Sequence, residues 1–277
     1  SEAFTGSPYH RPTIGYQSDL ENFSATDAEN FYHRYYVPGN MVLAVVGDVD
    51  PKTALPIVDK YFGRIPSGPK PEEYATQDAP QNSERQVVLH DPSQPFYIEG
   101  YHRPSYLDPD DAVYDAISDI MSNGRTSRLY RSLVRDKKIA AEAAGFSGFP
   151  GTKYPHLFAF YAVPLPGHTP DEMRKAIHEE IDRLKTQEVS DEELQMMKTR
   201  AKASLIRSLD SNSGLASMLS VEQARYGDWR ELFREVDRIE KVTKQDIKRV
   251  ADKTFTDNNR TVGILETNPQ PNQKEGQ

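Results

Sequence analysis

The chain has 277 residues, a formal net charge of −8 at pH 7 and no cysteine. This acidic balance argues against a nucleic-acid partner, which requires clustered Lys and Arg. The lack of cysteine excludes disulfides, thiolate zinc sites and a cysteine nucleophile, and no apolar run reaches the roughly 18 residues that a membrane span needs.

Helices and strands are mixed along the first part of the chain. Ser24 with Asp27 three residues on is typical of a capped helix that continues through Ala28–Tyr36. The apolar run Met41–Val46 predicts a buried strand, and Pro51–Phe62 predicts another helix. The proline-rich range 67–85 then predicts an interdomain linker.

The remaining elements belong to a second region. Because helices and strands there do not alternate strictly, the pattern favours an α+β fold, with a layered mixed sheet packed with helices. The predicted strands are Gln86–His90, Phe96–Tyr101, Ala140–Phe149, Leu157–Pro164 (paired with the strand before it) and Thr261–Glu266. The predicted helices are Asp108–Met121, Ser127–Lys137, one from a Thr169 cap to Leu184, one from a Ser190 capping box to Leu209, Leu215–Tyr226, Trp229–Val236 and Thr243–Thr254.

A repeat at an offset of 219 residues links the two ends of the chain. In both copies a capped helix ends in an aromatic residue, and an Asn-containing turn and an apolar strand follow. The matched positions are Ser24 with Thr243, Asp27 with Asp246, Tyr36 with Phe255, Asn40 with Asn259, and 42–46 with 261–265. The match is either coincidental, since such units are common, or the trace of two homologous domains. The second interpretation predicts the end of a truncated first domain at 1–66, a linker at 67–85, a second α+β domain at 86–268 and a disordered tail at 269–277.

Two motifs resemble stretches of one protein family. Residues 35–50 read aromatic, Tyr, any residue, Pro, any residue, Asn, apolar strand and Gly-Asp, and residues 124–130 read Gly-Arg-Thr-Ser-Arg-Leu-Tyr. Together with Tyr61–Pro66 they resemble the insulinase/pitrilysin family of zinc peptidases and its mitochondrial-processing-peptidase relatives. The resemblance covers about residues 8–268 of this chain.

The resemblance implies a fold and different roles for the two halves of such a protein. Such proteins are built from homologous α+β domains, paired as halves that enclose a chamber for peptides. The active half carries an inverted zinc motif, His-x-x-Glu-His, and a distant Glu ligand. If the repeat reflects two domains, this chain begins after those ligands.

The chain contains no recognisable catalytic motif of its own. None of its histidines has another within five residues, so neither His-x-x-Glu-His nor His-Glu-x-x-His is present; they are His10, His33, His90, His102, His156, His168 and His178. His178 lies beside acidic residues, which is more typical of a solvated helix face than of a metal site. Gly145-Phe146-Ser147-Gly148 lacks the spacing of a serine-nucleophile elbow, and Gly124 lacks the ending of a phosphate loop.

The resemblance also suggests site residues. In active relatives an Arg and a Tyr seven residues apart reach the substrate; here Arg135 matches the Arg, but Glu142 stands at the Tyr position. An ionised Glu142 would repel an oxyanion and could pair with Arg135 instead, while Tyr154 or Tyr161 could supply the phenol. Arg135 is equally compatible with a surface cation. Gly124, Arg125 and Arg128 match a substrate-binding loop of the family, although a plain interhelical turn is the alternative.

Two functional hypotheses follow. The first is a non-catalytic C-terminal lobe of a zinc-dependent metalloendopeptidase that forms one wall of the peptide chamber. Its partner is a zinc-bearing half, located upstream on the same polypeptide or on a separate subunit, and a homodimer is a further arrangement. The second is a catalytically inert structural or peptide-binding member of the family. We expect no zinc in this chain, and a bacterial periplasmic or cytoplasmic setting fits equally.

Overall fold

The computed structural model describes residues 2–73 and 78–268. The chain divides into two compact units. Unit 1 comprises residues 1–10, 76–199 and 239–277, and unit 2 comprises 11–75 and 200–238. The predicted domain boundaries are those of homologous domains, which differ in kind from compact units, so they stay a prediction. The predicted tail at 269–277 and part of the predicted linker lie outside the described residues.

The elements follow in chain order. The first part holds α1 (Gln17–Glu21), α2 (Ala25–Tyr35) and α3 (Pro51–Phe62). Next come β1 (Arg85–Asp91), β2 (Phe96–Arg103), α4 (Asp111–Ser122), a π-helix (Tyr130–Asp136), β3 (Ala140–Phe149), β4 (His156–Pro164) and α5 (Pro170–Thr186). The last are α6 (Asp191–Ser208), α7 (Asn212–Tyr226), α8 (Glu231–Lys241), α9 (Lys244–Thr254) and β5 (Arg260–Thr267). The predicted α+β class is confirmed.

Unit 1 is built around a five-stranded sheet of order β1-β5-β2-β4-β3. Strands β1 and β5 are parallel, and the other neighbours are antiparallel. Helices α4, α5 and α9 pack on one face of this sheet, where Tyr97, Phe160 and Val262 are fully buried. Because successive side chains along a strand point to opposite faces, the neighbours of these residues within each strand face the other side of the sheet.

The opposite face of the sheet is covered only in part. Phe4 from the N-terminal segment packs edge-on against His102, with ring centroids 5.3 Å apart. Farther along the same face, Phe96, Phe146 and Tyr161 remain half-buried, and Tyr161 contacts both phenylalanines. Unit 1 therefore carries an open aromatic surface on the side of the sheet away from the helices.

Three sequence predictions need correction. The predicted strand Met41–Val46 is wrong, since residues 41–46 belong to no strand or helix. The helix predicted at Ser127–Lys137 is a π-helix over Tyr130–Asp136. The helix predicted from Asp108 begins at Asp111, because the residues before it form turns.

The described part of the chain, residues 2–73 and 78–268, holds no helix that is both long and apolar enough to cross a bilayer.

Candidate functional site

Arg135 lies at the end of the π-helix. Wider helical turns of this kind often occur at functional positions, and Lys138 just after it has a left-handed backbone with φ of 54°. The exposed Arg135 donates from Nε and Nη2 to the two carboxylate oxygens of Asp136, at 2.6 and 3.0 Å. This hydrogen bonding raises the pKa of Arg135 and lowers that of Asp136. Asp136 thus holds the guanidinium, and two of its five N–H donors are used.

Glu142, on β3, pairs with a tyrosine. The register places Ala144 of β3 opposite Tyr161 of β4, which brings the Tyr161 hydroxyl to the Glu142 carboxylate, to which it donates. Burial and then the hydrogen bond to Glu142 raise the pKa of Tyr161 to about 12. A phenol has one proton to donate, so at neutral pH Tyr161 stays protonated with that proton directed to Glu142. Glu142 therefore pairs with Tyr161, and Arg135 pairs with Asp136, in place of the suggested Glu142–Arg135 pair.

Tyr154 lies at the other end of the β3–β4 hairpin. Along β3, Glu142 and Phe149 are about 23 Å apart at 3.3 Å per residue, and Tyr154 follows in the loop before β4. Its ring packs against Tyr9 at 5.7 Å between centroids, and its backbone N–H donates to the Tyr9 hydroxyl at 3.4 Å. Of the two tyrosines, Tyr161 is the one beside Glu142.

The predicted loop at Gly124 is a tight turn between α4 and the π-helix. Gly124 has a φ of 76°, which glycine adopts without steric cost, and its carbonyl accepts from the Ser127 hydroxyl at 2.8 Å. Arg125 in this turn is exposed. Arg128 instead makes a bidentate pair with Glu193 of α6, at 2.7 and 3.0 Å. Arg128 therefore has a structural partner, and its suggested contact with substrate stays a prediction.

The Arg128 pair changes the acidity of Glu193. Burial raises the pKa of Glu193, but hydrogen bonds from Arg128 and from the Ser190 backbone outweigh it and lower the pKa to about 2. Glu193 also completes the cap of α6, since it accepts from the Ser190 N–H at 2.8 Å and donates its own N–H to the Ser190 hydroxyl at 3.1 Å. The pair fixes the start of α6 to the π-helix region.

A cleft of about 650 Å³ lies where α4 meets the edge strand β3. In its lining, Gly145 donates its N–H to Ser122 and accepts from the Ser118 hydroxyl at 3.2 Å, so α4 satisfies the free edge of β3 at that residue. Unpaired edges of sheets otherwise tend to add further strands. The cleft is lined by Asp115, Ser118, Asp119, Ser122, Asn123, Ala144, Gly145, Phe146 and Tyr161. Its walls are thus acidic on the α4 side and aromatic on the sheet side.

A buried polar network in unit 1 was missed from the sequence. Glu99 is fully buried on the helix-covered face and accepts hydrogen bonds from Tyr97 at 2.7 Å and Tyr101 at 3.3 Å. His178 Nε2 lies 2.7 Å from the Glu99 carboxylate and 3.2 Å from Arg260 Nη1. Burial and the nearby Glu99 raise the pKa of both tyrosines. The sequence did hold one signal for this network, which is that Tyr97, Glu99 and Tyr101 lie two residues apart on one strand.

This network does not fit a metal ion. The guanidinium of Arg260 lies against the imidazole nitrogen of His178 that would have to bind the metal, and a second cation there would be repelled. Residues 2–73 and 78–268 also contain no group of three His, Asp or Glu side chains placed to hold a metal.

The sequence profile described as "Peptidase M16 inactive domain" matches residues 22–201. The chain belongs to this M16 inactive-domain family. The resemblance to insulinase/pitrilysin zinc peptidases is thereby confirmed, for a chain that corresponds to the non-catalytic half.

Curated relatives and solved structures agree with this assignment. The chain is 28% identical over 275 residues to the zinc protease PqqE of Helicobacter pylori, covering 95% of this chain and 60% of that protein. It is 24% identical to a probable mitochondrial-processing peptidase subunit beta of Arabidopsis thaliana, covering 95% of this chain and 51% of the relative. The chain thus spans between half and two thirds of the length of the relatives it matches.

Two crystal structures share the fold. A protease from Helicobacter pylori superposes with a TM-score of 0.88 at 26% identity, over 95% of this chain and 64% of the other. A peptidase M16 inactive domain from Pseudomonas fluorescens superposes with a TM-score of 0.80 at 18% identity, over 95% of this chain and 62% of the other. At the latter identity the likeness supports the fold alone.

Proposed function

We propose that this chain is the non-catalytic lobe of a zinc metalloendopeptidase and forms one wall of a chamber that binds peptides. The zinc, the activated water and the general base belong to a zinc-bearing half, on the same polypeptide or on a separate subunit. Within unit 1 the proposal assigns peptide contact to the open sheet face and to the cleft beside β3.

The aromatic sheet face is the observation that carries the proposal. Phe96 and Tyr161 stack at 5.7 Å and Phe146 meets Tyr161 edge-on at 6.0 Å, with all three half-buried on the face away from the helices. Such apolar surfaces beside a polar cleft are typical of binding sites. Peptides offer both apolar side chains for this face and backbone groups for the cleft.

Arg135 is the proposed contact for a peptide oxygen. Its guanidinium is exposed, fixed by Asp136 through two donors and left with further N–H groups. A charged donor held in position is suited to a carbonyl or an oxyanion.

The inert alternative has an observation in its favour. The Tyr161 proton is directed to Glu142, so this phenol cannot donate to a substrate while the pair stays intact. A lobe that binds peptide but adds no donor to the reaction would fit the structural or peptide-binding member of the family.

The test mixes this chain with a zinc-bearing family polypeptide from the same organism and follows cleavage of a quenched fluorescent peptide. We expect the chain alone to show no stoichiometric zinc and no hydrolysis, and to raise kcat/KM of the mixture. Arg135→Ala should lower that kcat/KM about tenfold, the equivalent of one charged hydrogen bond, while Lys175→Ala, an exposed cation on α5, should not.

The outcomes separate the two functions. Zinc binding together with hydrolysis by the chain alone would refute the proposal. Binding of the partner without stimulation would support the inert alternative. Light scattering on the same samples tests the homodimer, which stays a prediction.

A further inference from the structure

The cleft between α4 and β3 has two walls of different chemistry. Four of its lining residues on α4 lie three or four positions apart and so share one face of the helix, namely Asp115, Ser118, Asp119 and Ser122. On the sheet side, Phe146 and Tyr161 meet edge-on with ring centroids 6.0 Å apart. A group that enters this cleft of about 650 Å³ therefore lies between side-chain oxygens and aromatic rings.

The two serines of the α4 wall are used within the fold. Ser122 accepts from the Gly145 N–H, and the Ser118 hydroxyl donates to the Gly145 carbonyl at 3.2 Å. These bonds hold the helix against the strand beside the two aspartates. Among the described residues that line the cleft there is no Lys, Arg or His. The lining therefore carries two negatively charged side chains and no positively charged one.

Asp119 is held in position by its neighbour at the end of α4. Its carboxylate accepts from Asn123 Nδ2 at 2.5 Å, and its carbonyl accepts from the Asn123 N–H at 2.9 Å. A carboxylate has about four acceptor positions, so a bond from a neutral amide leaves its charge and further acceptor positions. A side chain that is already ordered also loses less conformational entropy when it binds a ligand.

A third carboxylate borders the aromatic wall. Glu142, Ala144 and Phe146 alternate along β3, so their side chains lie on the same face of the sheet. The Tyr161 hydroxyl donates to Glu142, which places this carboxylate at the hydroxyl end of a ring that lines the cleft. Where active relatives have a tyrosine, Glu142 thus removes a donor and adds negative charge beside the cleft.

These walls suit a cation with a flat face. Negative charge attracts a cation, and aromatic rings bind one that lies within about 6 Å of the ring centre. A guanidinium has five N–H donors in one plane and stacks on aromatic rings, so its edge can contact carboxylates while a ring covers its face. An ammonium group is a compact and more strongly hydrated charge, and it fits such a site less well.

We propose that the cleft between α4 and β3 is a subsite for an arginine side chain of the bound peptide. The guanidinium lies between the aspartates of α4 and the rings of Phe146 and Tyr161. This assignment rests on the proposed function, in which the cleft contacts peptide, and it adds a substrate class, peptides that carry arginine. The net charge of −8 on the chain also favours the approach of cationic peptides.

The direct test measures binding of short peptides to this chain alone. The probes are an N-acetylated, C-amidated Ala-Arg-Ala tripeptide and the same peptide with lysine or citrulline at its centre, since citrulline keeps the shape of arginine without its charge. We expect arginine to bind about tenfold more tightly than citrulline, with lysine between them. Two-dimensional amide NMR should show shifts at Asn123 and Gly145, and added salt should reduce the preference.

The double variant Asp115→Asn, Asp119→Asn keeps the size of both side chains and removes their charge. It should reduce the preference for arginine over citrulline from about tenfold to about threefold or less. Phe146→Leu keeps an apolar side chain and removes one aromatic face, so it should reduce the preference about threefold. The second variant leaves α4 unchanged and tests the subsite independently of the first.

The matched control is the double variant Asp171→Asn, Asp182→Asn. It removes the same charge from two exposed positions of α5 that do not line the cleft. Its preference for arginine over citrulline should stay within about twofold of the wild-type value. An equal loss of preference in this control would show that overall charge, and not the cleft, selects the cation.

A second measurement separates this inference from the proposed function. Quenched fluorescent peptides with arginine or citrulline at successive positions are cleaved by the mixture of this chain with a zinc-bearing family polypeptide. We expect a lower KM for arginine at one position, and loss of that difference in Asp115→Asn, Asp119→Asn.

The possible failures are distinct. Absence of binding by the arginine peptide, equal binding of arginine and citrulline, or a preference that survives the Asp115 and Asp119 replacements would each overturn the inference. Stimulated cleavage without an arginine preference at any position would also overturn it and leave the proposed function standing. Arginine binding at the cleft without stimulated cleavage would overturn the proposed role in hydrolysis and leave the subsite, in a lobe that only binds peptide.

Discussion

At the scale of single residues, hydrogen bonds between distant positions decide what the candidate site can donate. Glu142 and Tyr161 are 19 residues apart, and Arg128 and Glu193 are 65 apart. In both cases a group that the sequence offered for substrate contact is engaged by a second side chain. The chemistry of the site therefore depends on whether these pairs hold.

Removing the Glu142 carboxylate should free the Tyr161 hydroxyl. Since burial and then Glu142 raise the pKa of Tyr161 to about 12, we expect Glu142→Ala to lower that pKa toward the ordinary value of about 10. Glu142→Gln, which removes the charge but keeps an acceptor, should give a smaller decrease. Titration of the tyrosine ring carbons by NMR checks this, with Tyr161→Phe assigning the signal. An unchanged pKa in Glu142→Ala would show that burial alone sets it.

The Arg128–Glu193 pair should contribute to stability in an acid-dependent way. The pKa of Glu193 in the folded state is about 2, against an ordinary value of 4.5. A lowered folded-state pKa stabilises the fold above the ordinary value, and that contribution is lost as pH falls from about 4.5 to about 2. We expect Arg128→Ala to lower the free energy of unfolding by about 1–2 kcal/mol at pH 7, and by much less near pH 2.

Arg125→Ala is the matched control for that measurement. Arg125 lies three residues before Arg128 in the same turn and is exposed, so its removal should change the free energy of unfolding by less than about 0.5 kcal/mol. Urea denaturation at several pH values compares the two variants. Equal effects of both replacements would contradict a specific role for the pair.

At the scale of elements, features that depend on nearby residues could be predicted from the sequence, and features that depend on tertiary contacts could not. The helix caps at Ser24 and Thr243 depend on residues three positions apart, and both helices are capped there as predicted. The strand at 42–46 did not, because its apolar pattern reports a preference for burial while strand formation needs neighbours. The π-helix escaped prediction because its inward residues have a spacing that an α-helix also allows.

The candidate site could be predicted from the sequence to a similar degree. The positions of Arg135 and Glu142 followed from the resemblance, but their partners did not. Tyr161 reaches Glu142 through the β3–β4 register, and Glu99 meets His178 through packing of α5 on the sheet. Neither relation is encoded within one element, so neither could be derived from local pattern.

The two copies of the repeat offer a matched test of packing. Phe255 contacts Tyr101, Phe158 and Phe160, with ring centroids 5.1–5.3 Å apart. Removal of a buried aromatic leaves a cavity, so Phe255→Ala should lower the free energy of unfolding of unit 1 by about 3–5 kcal/mol. Tyr36→Ala, at the equivalent exposed position, should change it by less than about 0.5 kcal/mol. Thermal denaturation by calorimetry measures both, and a comparable loss in Tyr36→Ala would contradict the difference in burial.

At the scale of the whole molecule, most of the buried side chains among the described residues lie in unit 1. The core side chains of unit 1, such as Ile117, Leu133 and Ile177, are fully buried. In unit 2, helices α1, α2 and α3 bury no residue. Because most helical stability in proteins comes from packing of an apolar face, α1, α2 and α3 lack the main contribution that holds α4, α5 and α9 of unit 1.

The two units should therefore open at different free energies. We expect native-state amide exchange to give α2 and α3 opening free energies of about 0–2 kcal/mol, while α5 and α9 approach the global value of about 5–15 kcal/mol. Low urea should accelerate exchange in α5 and α9 more steeply, since their opening exposes more surface. A single opening free energy shared by all four helices in the isolated chain would contradict this division of stability.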